Sequence, residues 1–169
     1  MAITNFIGAV PTFIQLLGGL NGVLSKLEAH ATEHKWDQAV VLNTRFYPDM
    51  FTLERQVRQA CVHAQAAARV AGVSLPSLPD EDKSYAEMQA RIDKVVALNK
   101  GLQASQVDGK EDSEVTIMQG GNERKFKAQT YLYHTAMPNF YFHTTTAYNI
   151  IRSLGVEIGK RDFMGQPPA

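Results

Sequence analysis

Between Ile3 and Leu27 the apolar residues Ile3, Phe6, Val10, Phe13, Leu17, Leu20, Leu24 and Leu27 recur in alternating steps of three and four. That period draws one stripe down an α-helix, and the stripe is buried by packing at a shallow angle against neighbouring helices. Thr4 or Asn5 supplies a cap, and Pro11 predicts a kink or a late start. The stretch is the most apolar in the chain, so a signal peptide or membrane anchor has to be weighed. It has no basic n-region and no unbroken apolar run near the ~18–20 residues a span needs. It reads as a core helix over about 3–34, with no membrane partner.

Three more seams follow. Met50, Leu53, Val57, Ala60, Ala64, Ala67 and Ala71 predict a second helix over about 49–72, small-sided and ended by Gly72. Trp36 to Leu42 predicts one short helical turn before it. A Pro- and Asp-rich connection (SLPSLPDED, 74–82) leads to a third helix over about 82–104, with Ser84 and Glu87 at capping-box spacing. Its face carries Tyr85, Met88, Ile92, Val95 and Leu102. After Lys100 the period shortens. Val115 and Ile117 alternate with polar residues, Gly120-Gly121-Asn122 supplies turn chemistry, and a β-hairpin over about 114–127 is expected. Phe140, His143, Ala147, Ile150 and Leu154 predict a last helix over about 130–155, which Pro138 either starts or kinks. An extended tail, 156–169, completes the chain. The whole reads as one all-α domain over 1–169, a four-helix bundle with a short β-hairpin inserted before the last helix.

Composition narrows the function classes. The chain has 169 residues, with 17 Lys and Arg against 17 Asp and Glu. No basic surplus exists to neutralise a phosphate backbone, so nucleic acid is not the expected partner. Cys61 is the single cysteine, which forbids an intrachain disulfide and any CxxC metal site and suits a cytoplasmic location. No GxSxG, phosphate loop or dinucleotide fingerprint occurs. Cys61 has no basic neighbour to activate it and reads as an inert buried thiol.

Five histidines remain for metal or proton chemistry. His30 and His34, at i and i+4, lie in a charged segment near a helix end and read as surface residues. His143 occupies the inward seam of the last helix. A core-facing imidazole must find a hydrogen-bond partner or a metal, or bear a desolvation cost of a few kcal/mol. His63 flanks the seam of the second helix, so the two rings are placed to meet. Both outcomes stay open: hydrogen bonds to Tyr, Thr or backbone groups, or a metal. His134 lies nine residues before His143, on the opposite face of an unbroken helix, and converges only if Pro138 breaks the helix. Tyr131, Tyr133, Tyr141 and Tyr148 gather with Asn139 on this segment, which makes a cleft beside it the candidate pocket, with Asn139, Tyr141 and Tyr133 as its substrate-facing residues.

The strings RFYPDMFTLERQVRQACVHAQAAARVAG (45–72) and YLYHTAMPNFYFHTTTAYNIIRSLGVEIGKRDFMG (131–165) carry a family resemblance, most specifically at Pro48-Asp49-Met50 and at PNFYFH (138–143). The chain resembles a family of small bacterial proteins of unknown function within the DinB/YfiT-like metalloenzyme superfamily. The resemblance covers nearly the whole chain. It implies a four-helix bundle with the second helix alongside the last, and a homodimer. It further implies a divalent metal (nickel, zinc or iron) held by one histidine of the second helix and an HxxxH-type pair of the fourth. His63 matches the first position and His143 one of the pair. Asn139 and Ala147 stand four residues either side of His143, so the other histidine of the pair is absent, and His134 is the available substitute. The expectation is a small-molecule pocket with a degenerate metal site between the second and last helices, metal-dependent catalysis being implied by the resemblance alone. The alternative is a dimeric binding or stress-response module whose histidines are structural.

Overall fold

The computed structural model describes residues 3–167, which are mostly helical with one two-stranded antiparallel sheet. Helix α1 (Asn5–Glu33) is capped by Thr4, whose hydroxyl accepts the Ile7 N–H. Pro11 lies inside it and has no N–H to offer the Ile7 carbonyl, yet the helix neither starts nor stops there. The stripe Val10, Phe13, Leu17, Leu20, Leu24 and Leu27 is buried on both sides of the proline and holds the two parts in line. By length and composition α1 would pass for a membrane span, but half of its most apolar window is buried within the fold. Short α2 (Gln38–Leu42) is capped by Asp37, which accepts from Ala39 N at 2.7 Å.

The second seam departs from one unbroken helix over 49–72. It starts only at Leu53, because Tyr47 to Met50 form a turn and the Thr52 hydroxyl caps the first helical residues. It then divides into α3 (Leu53–His63) and α4 (Ala66–Ala71). Two side-chain amides account for the break. Gln65 donates to the Cys61 carbonyl at 3.1 Å, and Asn99, fully buried, donates to the Ala64 carbonyl at 2.9 Å. Each takes over a carbonyl that an uninterrupted helix would pair with the backbone N–H four residues on.

Helix α5 (Tyr85–Lys100) begins at Ser84, whose hydroxyl accepts from Glu87 N, while the Glu87 carboxylate reaches back to Lys83 N at 2.6 Å. The connection before it is pinned by a buried fork. Arg91 donates to both carboxylate oxygens of Asp82 at 2.6 and 3.0 Å and to the Pro79 carbonyl at 2.6 Å. Helix α6 (Ala104–Val107) precedes strands β1 (Glu114–Gln119) and β2 (Asn122–Lys127). Among the described residues the strands pair only with each other, Gln119 opposite Asn122. Gly120 and Gly121 both take positive φ (58° and 80°), as the tight hairpin turn requires.

The last long segment runs continuously from α7 (Ala128–Thr130) through a π-helical turn (Tyr131–Ala136) into α8 (Met137–Ser153). Pro138 therefore neither starts nor breaks it. The Met137 N–H reaches back five residues to Leu132, and this widened turn absorbs the bond that proline cannot make. The tail is not wholly extended: Lys160–Met164 form α9, which packs on α1 through Lys26–Asp162 (2.7 Å) and Gln15 to the Met164 carbonyl (2.9 Å). Residues 168 and 169 of that expected tail lie outside the described residues, as do residues 1 and 2. Packing pairs α3 with α8 and α1 with α5, and α1 also meets α8 while α3 meets α5. Phe13 and Phe140 meet edge to face at 5.0 Å in the core between α1 and α8.

Candidate functional site

Because α3 and α8 lie side by side, His63 at the end of one comes against His143 of the other. Their ring centroids are 5.6 Å apart and their planes nearly parallel, 8° between them. Phe51 also lies nearly parallel to His143, at 6.1 Å and 7°. Both histidines line a cavity of about 550 Å³, the size range of metabolite sites. Its floor comes from α3, α4 and the π–α8 segment, and its other wall from the hairpin tip, Thr116 to Gly120.

His143 is 7% exposed, and its Nδ1 lies 2.7 Å from the side-chain oxygen of Gln56. The Gln56 amide nitrogen donates to the Phe51 carbonyl, so its oxygen is the end that meets the ring. Nδ1 therefore carries the hydrogen and Nε2 keeps its lone pair. Burial pushes His143 down to about 4; burial first, and then repulsion from a protonated His143 and from Arg69, pushes His63 down to about 4. At neutral pH both are uncharged imidazoles.

The remaining expected site residues are dispersed. Asn139 lines the cavity, with its amide nitrogen given to the Thr135 carbonyl at 2.7 Å. His134 is exposed and outside the cavity: the π-helical turn keeps the segment running, so Pro138 does not redirect it. Tyr133 points to the other side, where its hydroxyl donates to the Thr4 and Asn5 carbonyls at 3.4 Å. The site of a Cβ on Gly8 lies 2.6 Å from that hydroxyl, so only glycine leaves it room. Tyr141 is 40% exposed and also outside the cavity. The tyrosine that does line it is Tyr131, buried, its phenol raised above the ordinary range by burial. His30 and His34 stack on each other at 4.1 Å beside Trp36 at the end of α1. Cys61 is fully buried, and burial raises its thiol to about 12, so it is no thiolate at neutral pH.

Three contributors had no place in the sequence reading. Gln56 sits seven residues before His63, two turns back on the same face, a spacing that was legible. Arg69 lies six residues after His63, and in an unbroken helix ~100° steps would set it about 120° away. The turn at Ala64–Gln65 intervenes, and both line the cavity. The hairpin tip reaches the site only through tertiary packing.

The donor set does not fit a resident metal. Among the described residues no three His, Cys, Asp or Glu side chains converge. A catalytic zinc-type site takes three protein ligands and an open position. Here two imidazoles are joined by amides, hydroxyls and the Arg69 cation, with no carboxylate to offset a divalent charge. Gln56 holds His143 as an outer-shell group would orient a ligand, but the shell it would support is incomplete.

The crystal structure of a DinB family member protein from Shewanella denitrificans is similar to this chain, at 34% identity and a TM-score of 0.84. The match covers 97% of this chain and 93% of that one. No curated protein matches. A family model described as a domain of unknown function, DUF1993, matches residues 6–164. A mostly helical chain matched over nearly its whole length in this way belongs to the DUF1993 family.

Proposed function

We propose that this chain binds a small molecule in the cavity between α3 and α8, on a scaffold of four long helical segments: α1, α3–α4, α5 and the π–α8 segment. The observation that carries the reading is the pairing of two uncharged imidazoles from different helices at the wall of one cavity, one with its tautomer fixed by Gln56. An imidazole with Nε2 unprotonated accepts a hydrogen bond from a hydroxyl or N–H of the bound molecule. Phe51, Val62, Ile117 and Met118 supply apolar contact for its body. Residues with values near 4 are poor proton acceptors at neutral pH, since a general base works best near the operating pH. Binding is therefore favoured over acid–base catalysis. The likeness to the DinB family structure supports the scaffold.

A fragment screen read by the ring resonances of His63 and His143 tests this. Hits should shift both, and Val62→Trp, which crowds the cavity wall beside His63, should weaken them. Hits that bind equally well to the crowded variant, or no hits at all, would remove the reading.

A further inference from the structure

Arg69 is the one charged side chain lining the cavity among the described residues, and no Asp or Glu lines it. Among the described residues no carboxylate pairs with it elsewhere. The ion pairs of the described residues are Lys26–Asp162, Arg58–Glu54, Arg91–Asp82, Lys125–Glu114 and Lys127–Asp112. Arg69 is half-buried, and a partly desolvated guanidinium without a counter-charge is an unfavourable arrangement that a bound anion relieves. A concave, low-dielectric wall with one sign of charge also concentrates oppositely charged molecules.

We infer that the molecule bound in this cavity is a carboxylate with a flat or apolar body, its charge met by the Arg69 guanidinium. The inference rests on the small-molecule reading above and adds the ligand's class. A guanidinium presents a planar fork of donors that matches a carboxylate in two parallel hydrogen bonds. One fixed cation balances one negative charge. A phosphate dianion would leave a charge uncompensated, because the neighbouring imidazoles resist protonation where they sit. The Tyr131 hydroxyl is a further donor on the same wall, and Arg69 is its charged neighbour. For the body of the molecule, His63 offers a half-buried ring backed by His143, and Val62, Ile117 and Met118 add apolar surface, while Phe51 carries the Arg55 guanidinium 3.7 Å from its ring centroid.

The test is calorimetric titration of 1-naphthoate against its neutral counterpart 1-naphthamide, with inorganic phosphate as competitor. Wild-type protein should take naphthoate at least about tenfold tighter than naphthamide, the scale of a charged hydrogen-bonding pair. Arg69→Met should erase that difference, and Arg69→Lys should keep part of it. Among the described residues Arg69 donates to no carboxylate, so these variants should retain the wild-type circular dichroism; the naphthoate–naphthamide comparison in the wild type stands in any case. Equal affinity for the two probes overturns the inference while leaving the cavity reading standing. Phosphate that displaces naphthoate at equal concentration overturns the carboxylate assignment in favour of phosphate. Failure of both probes overturns the ligand class, and it touches the cavity reading only if the fragment screen fails as well.

Discussion

Gln56 accepts the Nδ1 hydrogen of His143 at 2.7 Å, which decides the ring nitrogen left with a lone pair. Gln56→Leu should remove the acceptor and leave a buried N–H without a partner, at a cost of about 1–3 kcal/mol. Chemical denaturation reads the loss, and nitrogen chemical shifts of His143 read the tautomer. Wild-type shifts showing the hydrogen on Nε2 would contradict the assignment.

The two imidazoles also set how stability responds to acid. In the folded chain each titrates near 4, against an ordinary value of 6.5. Between those values the unfolded chain binds protons that the folded one refuses, so stability rises with pH through this window and is lost as pH falls. The full shift corresponds to about 3 kcal/mol per histidine, an upper figure because the rings retain some solvent contact. Urea denaturation of the wild type from pH 7 to about 4 should therefore show a falling midpoint, and His63→Gln should flatten the fall. Parallel curves for the two proteins would remove His63 from the account.

Arg91 and Asp82 form a fork that is almost wholly out of water, with side-chain exposures of 2% and 1%. Removing one partner strands the other. Asp82→Asn or Arg91→Met alone should cost about 3–5 kcal/mol, and an apolar double replacement should cost less than the sum. Additive costs in a double-mutant cycle would show that the pair is not coupled.

Two imidazoles and a nearby guanidinium make a poor cradle for a divalent ion. Dialysis of untagged protein against micromolar nickel, zinc or iron(II) should leave it with far less than one ion per chain. Stoichiometric metal that vanishes in His143→Ala would reverse the conclusion about the donor set.

The seams were legible because their periods are long and their residues apolar: Val10 to Leu27, Leu53 to Ala67, Met88 to Val95 and Phe140 to Ile150 are all buried where the spacing put them. The hairpin was legible in Gly120-Gly121, since few residues accept that turn. What the spacing did not carry were choices made by single polar side chains. Asn99 is distant in sequence from Ala64, yet it takes the carbonyl at which the second helix divides. His134 was tied to a break at Pro138, and a turn with five-residue hydrogen bonding made the break unnecessary. The His63–His143 encounter follows from two seams facing one another. Arg69 depends on a helix interruption that periodicity does not record.

Among the described residues the hairpin bonds its backbone only to itself, and its hold on the helices runs through buried Val115, half-buried Ile117 and Phe126, and the Ala128 N–H to the Ser113 carbonyl at 2.8 Å. Residues 116–120, which complete the cavity, are thus separable from the helix–helix interface that brings the histidines together. Substitutions at the tip alter the shape and polarity of one wall without asking the helices to repack. Changing a few residues of one ribbon therefore suffices to remake that wall, while the histidine-bearing helices stay under the stricter constraint of the core.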